Sequence, residues 1–402
     1  MTTFAVDVPT SRANGVVLAI VLTGFVASTY GFGVYLFANL VVDMRRDLDF
    51  GYTTVGLITG GAQVGFLSFS FLTSYISRFV EGWKISLCST AVTALALLGL
   101  CVSDSVLLSG MLLVLLGGCS ASVYIPLAEI VAKNFPVDKR ARTMGLISSG
   151  TSYGVFINGL LVSALTMHQG WRGIWLTAGL ISVVLCVVAW ILLRRTPQSV
   201  EPRVVSSNTE SGAQKWLSRP LYLMWLVAFL NGLTLLPFQT YLAPFMRDEL
   251  GISATTTGWV WSTIGAVGMA AGFLVGWIAD RIGVRRALIL CFASACLASA
   301  CVYHFSDSGY FYLAGFLFAL AFYPVFGLVP TYLGQIVDVS RLTQAFGIAN
   351  VLIGLGGICG NFLGGVCKDL QGSFAPIYMI ISLLLLVQLL VVATLPEQLR
   401  QR

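Results

Sequence analysis

Long, nearly uncharged apolar stretches recur from one end of this chain to the other, and no other feature limits its possible folds so tightly. Twelve are distinguishable, at approximately 14–41, 53–78, 84–102, 106–133, 141–166, 172–194, 220–245, 255–279, 286–304, 310–336, 342–367 and 374–395. As a helix, each is long enough to cross the roughly 30 Å hydrocarbon core of a bilayer. A lipid core offers the backbone no hydrogen-bond partner, so a crossing segment must satisfy itself as a helix or join a closed barrel. These runs are continuous rather than alternating over about ten residues, which selects helices. Composition agrees: of 402 residues 57% are hydrophobic and 10% charged, against roughly 25% charged in soluble domains. The fold class expected is an all-α membrane protein of twelve transmembrane helices.

Charge then orients the chain. With both termini on one side, 18 of the 23 Lys and Arg residues fall on that side, leaving Arg45, Arg46, Arg172, Arg247 and Lys368 on the other. Basic residues accumulate on the cytoplasmic side of membrane proteins, so both termini are expected inside and the formal charge of +6 reports orientation. No small-residue cleavage site follows the first span, so no removable signal peptide is expected. Short loops suggest a bacterial inner membrane.

The chain also repeats itself. Met44, Arg45 and Leu48 match Met246, Arg247 and Leu250, and Thr53-Thr54-Val55-Gly56 matches Thr255-Thr256-Thr257-Gly258, all at an offset of 202 that also carries Gly145 to Gly347 and Gly154 to Gly356. The one long polar connection, 196–218, separates an N-terminal six-helix bundle (1–195) from a C-terminal one (219–402). Tandem six-helix repeats predict a path at their interface.

Between the eighth and ninth spans the chain reads Gly276-Trp277-Ile278-Ala279-Asp280-Arg281-Ile282-Gly283-Val284-Arg285-Arg286. Two glycines suited to close helix approach, one acid and three arginines occupy a tight turn at the membrane edge. This run resembles, without a gap, the Gly-x-Leu-Ala-Asp-Arg-x-Gly-x-Arg-Arg cytoplasmic loop of the major facilitator superfamily of secondary transporters. The resemblance implies two pseudo-symmetric six-helix bundles that move a solute by alternating access, with Asp280 latching a neighbouring helix end, Asp338 and Arg341 facing it in the second-half gate. The first-half copy, Thr73 through Lys84, departs from the pattern: Ser77 stands in place of the Asp and Thr73 in place of the first Gly, while Arg78, Gly82 and Lys84 remain. Unequal latching of the two gates is the expectation. Gly170-Trp171-Arg172 resembles the start of the family's sixth helix and is read as an interfacial anchor.

Ionisable groups inside a membrane are functional candidates by default, and this chain has few. Glu129, one turn inside the end of the fourth span, is either a gate residue paired with Arg142 or Arg78, or the carrier of a coupled proton. Asp43, at the far end of the first span, is a second coupling candidate, read as solvated beside Arg45 and Arg46. In the family's fold the first, fourth, seventh and tenth spans line the path, which selects Tyr30, Tyr35, Tyr124, Asn231, Gln239 and Tyr323 as substrate-binding residues, with Tyr153 and Asn158 from the fifth span and Asn350 and Asn361 from the eleventh. A buried amide or phenol left unpaired costs about 1–3 kcal/mol, so groups at shared depth on equivalent helices favour a collective binding role. Aromatic walls with neutral hydrogen-bonding groups suit an uncharged or amphipathic organic molecule. The fifth span lacks the Gly-Pro pair of drug exporters in the family, so efflux stays an alternative reading, as does uncoupled exchange.

Other classes find little support. Nine cysteines sit in or at the ends of apolar runs without a Cys-x-x-Cys pair, and read as packing residues. The two histidines, His168 and His304, stand alone in expected turns, so neither a metal site nor a membrane enzyme is expected. No phosphate-binding Gly-x-x-x-x-Gly-Lys-Ser loop exists, and no basic stripe for nucleic acid. The expected partners are a small-molecule substrate, protons and membrane lipids, with no cofactor, for a monomer. A sensor that has lost transport remains a remote alternative.

Overall fold

The computed structural model describes residues 12–193 and 217–397, and these are helical almost throughout, with no strand among them. Eleven helical segments are long and apolar enough to cross a membrane: α1 (Gly15–Leu48), α2 (Tyr52–Ile76), α3 (Gly82–Cys101), α4 (Val106–Asn134), α5 (Arg142–Leu192), α6 (Arg219–Glu249), α7 (Ala254–Ile282), α8 (Val284–His304), α9 (Ser308–Ile336), α10 (Arg341–Gln371) and α11 (Ala375–Ala393). At 51 residues, α5 is about 76 Å long at 1.5 Å per residue, more than twice a bilayer core. It breaks at Gly170, whose φ of 63° and ψ of −171° leave the helical region, in a conformation that glycine adopts without a Cβ penalty. The expected linker lies, except for Leu217 and Ser218, outside the described residues.

Local chemistry sets the segment ends. Ser253 caps α7 by accepting from Thr256 N at 3.1 Å, and Asp307 caps α9 through Gly309 N at 2.9 Å, each satisfying a backbone donor that the helix start leaves free. Gly283, at φ 93°, separates α7 from α8. Pro126 follows the regular helix ending at Tyr124 and precedes the short helix Leu127–Asn134 inside α4. Pro237 and Pro244 lie within α6, and Pro324 and Pro330 within α9. Two stretches widen into π-helical turns: Ala27–Tyr35 in the middle of α1 and Phe245–Glu249 at the end of α6.

The halves meet through α2 against α10, α5 against α7, and α1 against α6. The first two contacts obey the 202-residue repeat. A Cβ on Gly56 would lie 2.5 Å from the Asn361 carbonyl oxygen, and a Cβ on Gly258 would lie 2.6 Å from the Gly159 carbonyl oxygen. Adding 202 to Gly56 gives Gly258, and adding it to Gly159 gives Asn361, so one contact is the image of the other. Glycine here removes the side chain that would hold the backbones apart, the device membrane helices use for close packing. Gly276, expected at such an approach, has open space where its Cβ would be; close packing does not explain it in this structure.

Candidate functional site

Two ends of the bundle differ in how the halves are joined. At the end carrying Asp43, ion pairs cross between halves in a reciprocal pattern. Arg247 of α6 donates to both carboxylate oxygens of Asp43 on α1, at 2.7 and 2.6 Å, while Arg45 of α1 donates to Asp248 of α6 at 3.0 Å. Arg45 and Arg247 are repeat equivalents, each reaching into the opposite half. Arg46 and the Tyr52 hydroxyl also donate to Asp248, Arg46 at 2.5 Å. Asp369 of α10 accepts from the backbone N–H groups of Tyr52 and Thr53 at 3.0 and 2.7 Å, capping α2 from the other half. Such charge-assisted, bidentate bonds are stronger than neutral ones.

This geometry corrects two expectations. Asp43 is not simply solvated beside Arg45 and Arg46; its partner is Arg247, whose side chain is 9% exposed. Arg172 is more than an interfacial anchor: it stacks on Trp171 at 4.0 Å and pairs with both Asp47 and Asp104. With Lys368 on Glu249 at 3.0 Å, all five basic residues assigned by sequence to the poorer side are ion-paired there.

The opposite end is joined differently. Lys84–Glu81, Lys133–Glu129 and Arg286–Glu397 each stay within one half. Glu129 pairs with Lys133 one turn away at 2.8 Å, not with Arg142 or Arg78, because Lys133 shares its helix face at the i,i+4 spacing. Arg142 and Arg78 are exposed, Arg78 over the Tyr75 ring. Asp280 and Asp338 are exposed and Arg341 donates to Gln344 at 3.2 Å, so the described ion pairs do not assemble Asp280, Asp338 and Arg341 into one latch. In the same loop Arg281 covers the Trp277 ring. Arg285 donates to the Ala393 carbonyl at the end of α11, and Arg286 pairs with Glu397 at 2.7 Å. In the first-half copy Thr73 is buried and bonds Ser122 of α4 at 2.7 Å, a use for its hydroxyl that glycine could not supply. Bonds from Lys84 and Trp83 hold the Glu81 carboxyl below its ordinary range.

Between the two ends lies a cavity of about 40 Å³, lined from both halves by Tyr35 and Ala38 of α1, Thr59 and Gln63 of α2, and Gln239, Thr240 and Asn361 of α6 and α10, among apolar neighbours. Of the ten residues expected to bind substrate, the cavity brings together Tyr35, Gln239 and Asn361. The Asn361 Oδ1 is buried without a partner. Tyr30 packs edge-on against Tyr124 at 5.9 Å and Phe66 at 6.4 Å, forming an aromatic wall within the first half, and Tyr153 is exposed. Tyr35 instead meets Phe322 of the other half at 6.0 Å, and Tyr323 packs edge-on against Phe322. Asn158 donates to the Gly31 carbonyl at 2.6 Å and Asn350 to Phe346 of its own helix at 3.1 Å, roles in helix packing. Asn158 Oδ1, Asn231 Oδ1 and the Tyr323 hydroxyl are buried and unpaired.

Sequence reasoning missed Gln63, Thr59 and Thr240. The signal was present in Gln63, the single amide in the apolar run of α2, but α2 was not among the spans expected to line the path. Both π-helical stretches hold site residues, Tyr30 and Tyr35 in one, Arg247 and Asp248 in the other, in keeping with the tendency of such turns to mark functional positions. Among the described residues no group of three or more His, Cys, Asp or Glu is arranged to hold a metal.

The sequence profile of the Major Facilitator Superfamily matches residues 21–243 and 224–402. The chain is 23% identical to the hexuronate transporter of Bacillus subtilis (strain 168), with 84% of each chain covered, and 24% identical to the gallate transporter of Pseudomonas putida, with 69% of this chain and 68% of that one covered. Its fold is similar to that of the nucleoside transporter NupG, with a TM-score of 0.75, 10% identity and 94% and 99% of the two chains covered. A bacterial homologue of the human lysosomal transporter Spinster, inward-facing and occupied, gives a TM-score of 0.73 at 14% identity with 95% of each covered. The profile spans both repeats, the helices fold as those repeats require, and the chain is an integral membrane transporter belonging to the major facilitator superfamily.

Proposed function

We propose that this chain is a secondary transporter that carries a small organic acid across the membrane by alternating access, together with a proton. One observation carries the reading: a cavity built from both halves lies between an end zipped by cross-half ion pairs and an end whose ion pairs stay within each half. That arrangement supports the reading of a carrier shut on the Asp43 side and released on the Asp280 side. The charge asymmetry supports reading the Asp43 side as the outer one, and the break at Gly170 supports reading α5 as two crossings, for twelve in all.

The substrate class rests on chemistry and likeness together. Hexuronate and gallate, named for the two relatives above, are both carboxylates. The cavity offers neutral donors and acceptors and no Lys or Arg. A carboxylate entering such a space is stabilised by a proton moving with it, since an unpaired charge in low dielectric is costly. Hydroxyls on the solute then suit the Gln63, Gln239 and Asn361 amides.

Purified protein in liposomes, given radiolabelled D-glucuronate, gallate and a neutral nucleoside with and without an imposed proton gradient, tests this. Accumulation of an acid that follows the gradient is expected. Equilibration that ignores the gradient would replace coupling by uniport or exchange, and selective uptake of the nucleoside would overturn the substrate class.

A further inference from the structure

Of the five basic residues at the Asp43 end, Arg247 differs from the rest in how it is held. Arg45 shares Asp248 with Arg46 and the Tyr52 hydroxyl, Arg172 has two acids, and Lys368 donates to both Glu249 and the Gly372 carbonyl. The hydrogen bonds of Arg247 among the described residues go to Asp43 alone, one carboxylate oxygen to each terminal nitrogen. It is also the most buried of these ion-paired bases, with a side chain 9% exposed. A buried guanidinium held by one acid can exchange that partner for another oxyanion such as a carboxylate.

Its location makes such an exchange possible. Thr240 and Ala38 line the cavity; Arg247 stands seven residues beyond the first and Asp43 five beyond the second. At 1.5 Å per residue these are about 10 Å and 8 Å along the helices, so a solute passing between the Asp43 end and the cavity passes this pair. The cavity itself has no cation. Arg247 also sits on a π-helical turn, Phe245–Glu249, where the hydrogen-bond ladder is already out of α register.

We propose that Arg247 receives the carboxylate of the transported acid at the Asp43 end, and that Asp43 is the counter-ion it gives up. This rests on the reading of the chain as an organic-acid carrier. The exchange balances in charge: the Asp43 carboxylate takes one proton from the aqueous side and leaves as a neutral acid, and the incoming carboxylate takes its place on the guanidinium. One anion and one proton are bound, with no net charge added. The neighbouring charges are otherwise engaged: Arg45 and Arg46 with Asp248, Asp47 with Arg172 of α5, Glu249 with Lys368, and Asp369 with the start of α2.

Uptake of D-glucuronate and gallate into proteoliposomes separates this role from a simple latch. A latch is broken equally by Asp43→Asn and Arg247→Gln, so both variants would shift KM in the same direction. Substrate recognition predicts opposite shifts. Asp43→Asn exposes a free guanidinium, lowers KM several-fold and removes the dependence of KM on external pH. Arg247→Gln raises KM tenfold or more, Arg247→Lys raises it less, and the double variant follows Arg247→Gln. Parallel KM shifts, or a pH dependence retained in Asp43→Asn, would overturn the proposal while leaving the transport reading intact. If Arg247→Gln does not fold, Arg247→Lys supplies the opposing shift, and a KM that keeps its pH dependence in Asp43→Asn overturns the proposal. Failure of the unsubstituted protein to move any acid would overturn the functional reading and this inference with it.

Discussion

Replacing Gly56 by alanine loads a known strain onto one conformation of the carrier. The added Cβ would sit 2.5 Å from the Asn361 carbonyl oxygen and 2.9 Å from Phe362 Cα. Both are backbone atoms of α10, so no side chain can swing away. Restoring an ordinary C···O contact of roughly 3.3 Å requires α2 and α10 to part by about 0.8 Å. Overpacking of this kind costs about 1–3 kcal/mol. Gly56 lies one turn from the start of α2, at the Asp43 end, so the strain falls on the state in which that end is shut and is relieved when it opens. A differential of that size moves the equilibrium about 5- to 150-fold toward the open form. Spin labels at the exposed positions Leu107 and Tyr310, with the exposed Cys88 and Cys359 replaced, would report the change as a longer distance population. Gly258→Ala should behave alike, because its Cβ meets the Gly159 carbonyl at 2.6 Å in the equivalent contact. Gly232→Ala is the control: its Cβ would lie 1.9 Å from the Ile353 carbonyl, but α6 and α10 belong to one half, so it should lower the melting temperature and leave the distance distribution unchanged. An unshifted distribution in Gly56→Ala, or a shift in Gly232→Ala, would refute the assignment of the glycine contacts to the gate.

Three further outcomes are expected. Gln63→Ala removes one neutral hydrogen bond from the cavity, about 0.5–1.5 kcal/mol, and should raise KM for the transported acid about 2- to 10-fold without changing the melting temperature; an unchanged KM would remove Gln63 from the site. Asp280→Asn should abolish most transport while the protein stays in the membrane if, as the resemblance of its loop implies, the acid latches the inner end when the outer end opens; normal rates would end that assignment. Glu129→Gln breaks only the Lys133 pair, about 0.3–0.5 kcal/mol at an i,i+4 surface site, so pH-driven accumulation should persist; counterflow kept while accumulation is lost would make Glu129 the proton carrier instead.

What the sequence revealed and what it concealed follow from the range of the interactions. Apolar runs and the repeat are properties of composition and spacing, so the helices and the equivalence of Gly56 with Gly258 were legible. The ends of α5 were legible too, since Gly170 divides two runs that are each long enough to cross. The π-helical turn at Ala27–Tyr35 was not, because its residues satisfy an α pattern equally well. Asp43 was misread because its partner stands 204 residues away in the other half, where no local pattern points. Glu129 was misread in the opposite sense: distant arginines were considered while Lys133 waited one turn along the same helix. Gln63 was overlooked because path-lining helices were chosen by position in the fold, and the cavity recruits α2 as well.

On the proposed reading the two ends of the molecule divide the work of a gate unequally, and the divergence of the repeats accounts for it. The second-half loop keeps its acid, Asp280, exposed in this state, and ties two of its arginines to the end of α11 within its own half. The first-half loop has no acid at the equivalent place; Thr73 has been drawn into a buried bond with Ser122 and Ser77 bonds its own helix at Ser74. Of the two loops, only the second-half one therefore keeps the acid that the proposed latch requires. At the Asp43 end both halves contribute an arginine and an aspartate, the two arginines at equivalent positions of the repeat. On the proposed reading this partly buried set of ion pairs shuts or opens as a unit, because parting one pair leaves charges without their partners. On the proposed exchange at Arg247, a solute that itself brings a carboxylate, arriving with a proton, supplies the replacement charge at the moment the pair parts. On that proposal the Asp43 end opens for its cargo and resists opening without it, which a single-acid latch at the Asp280 end would not achieve alone.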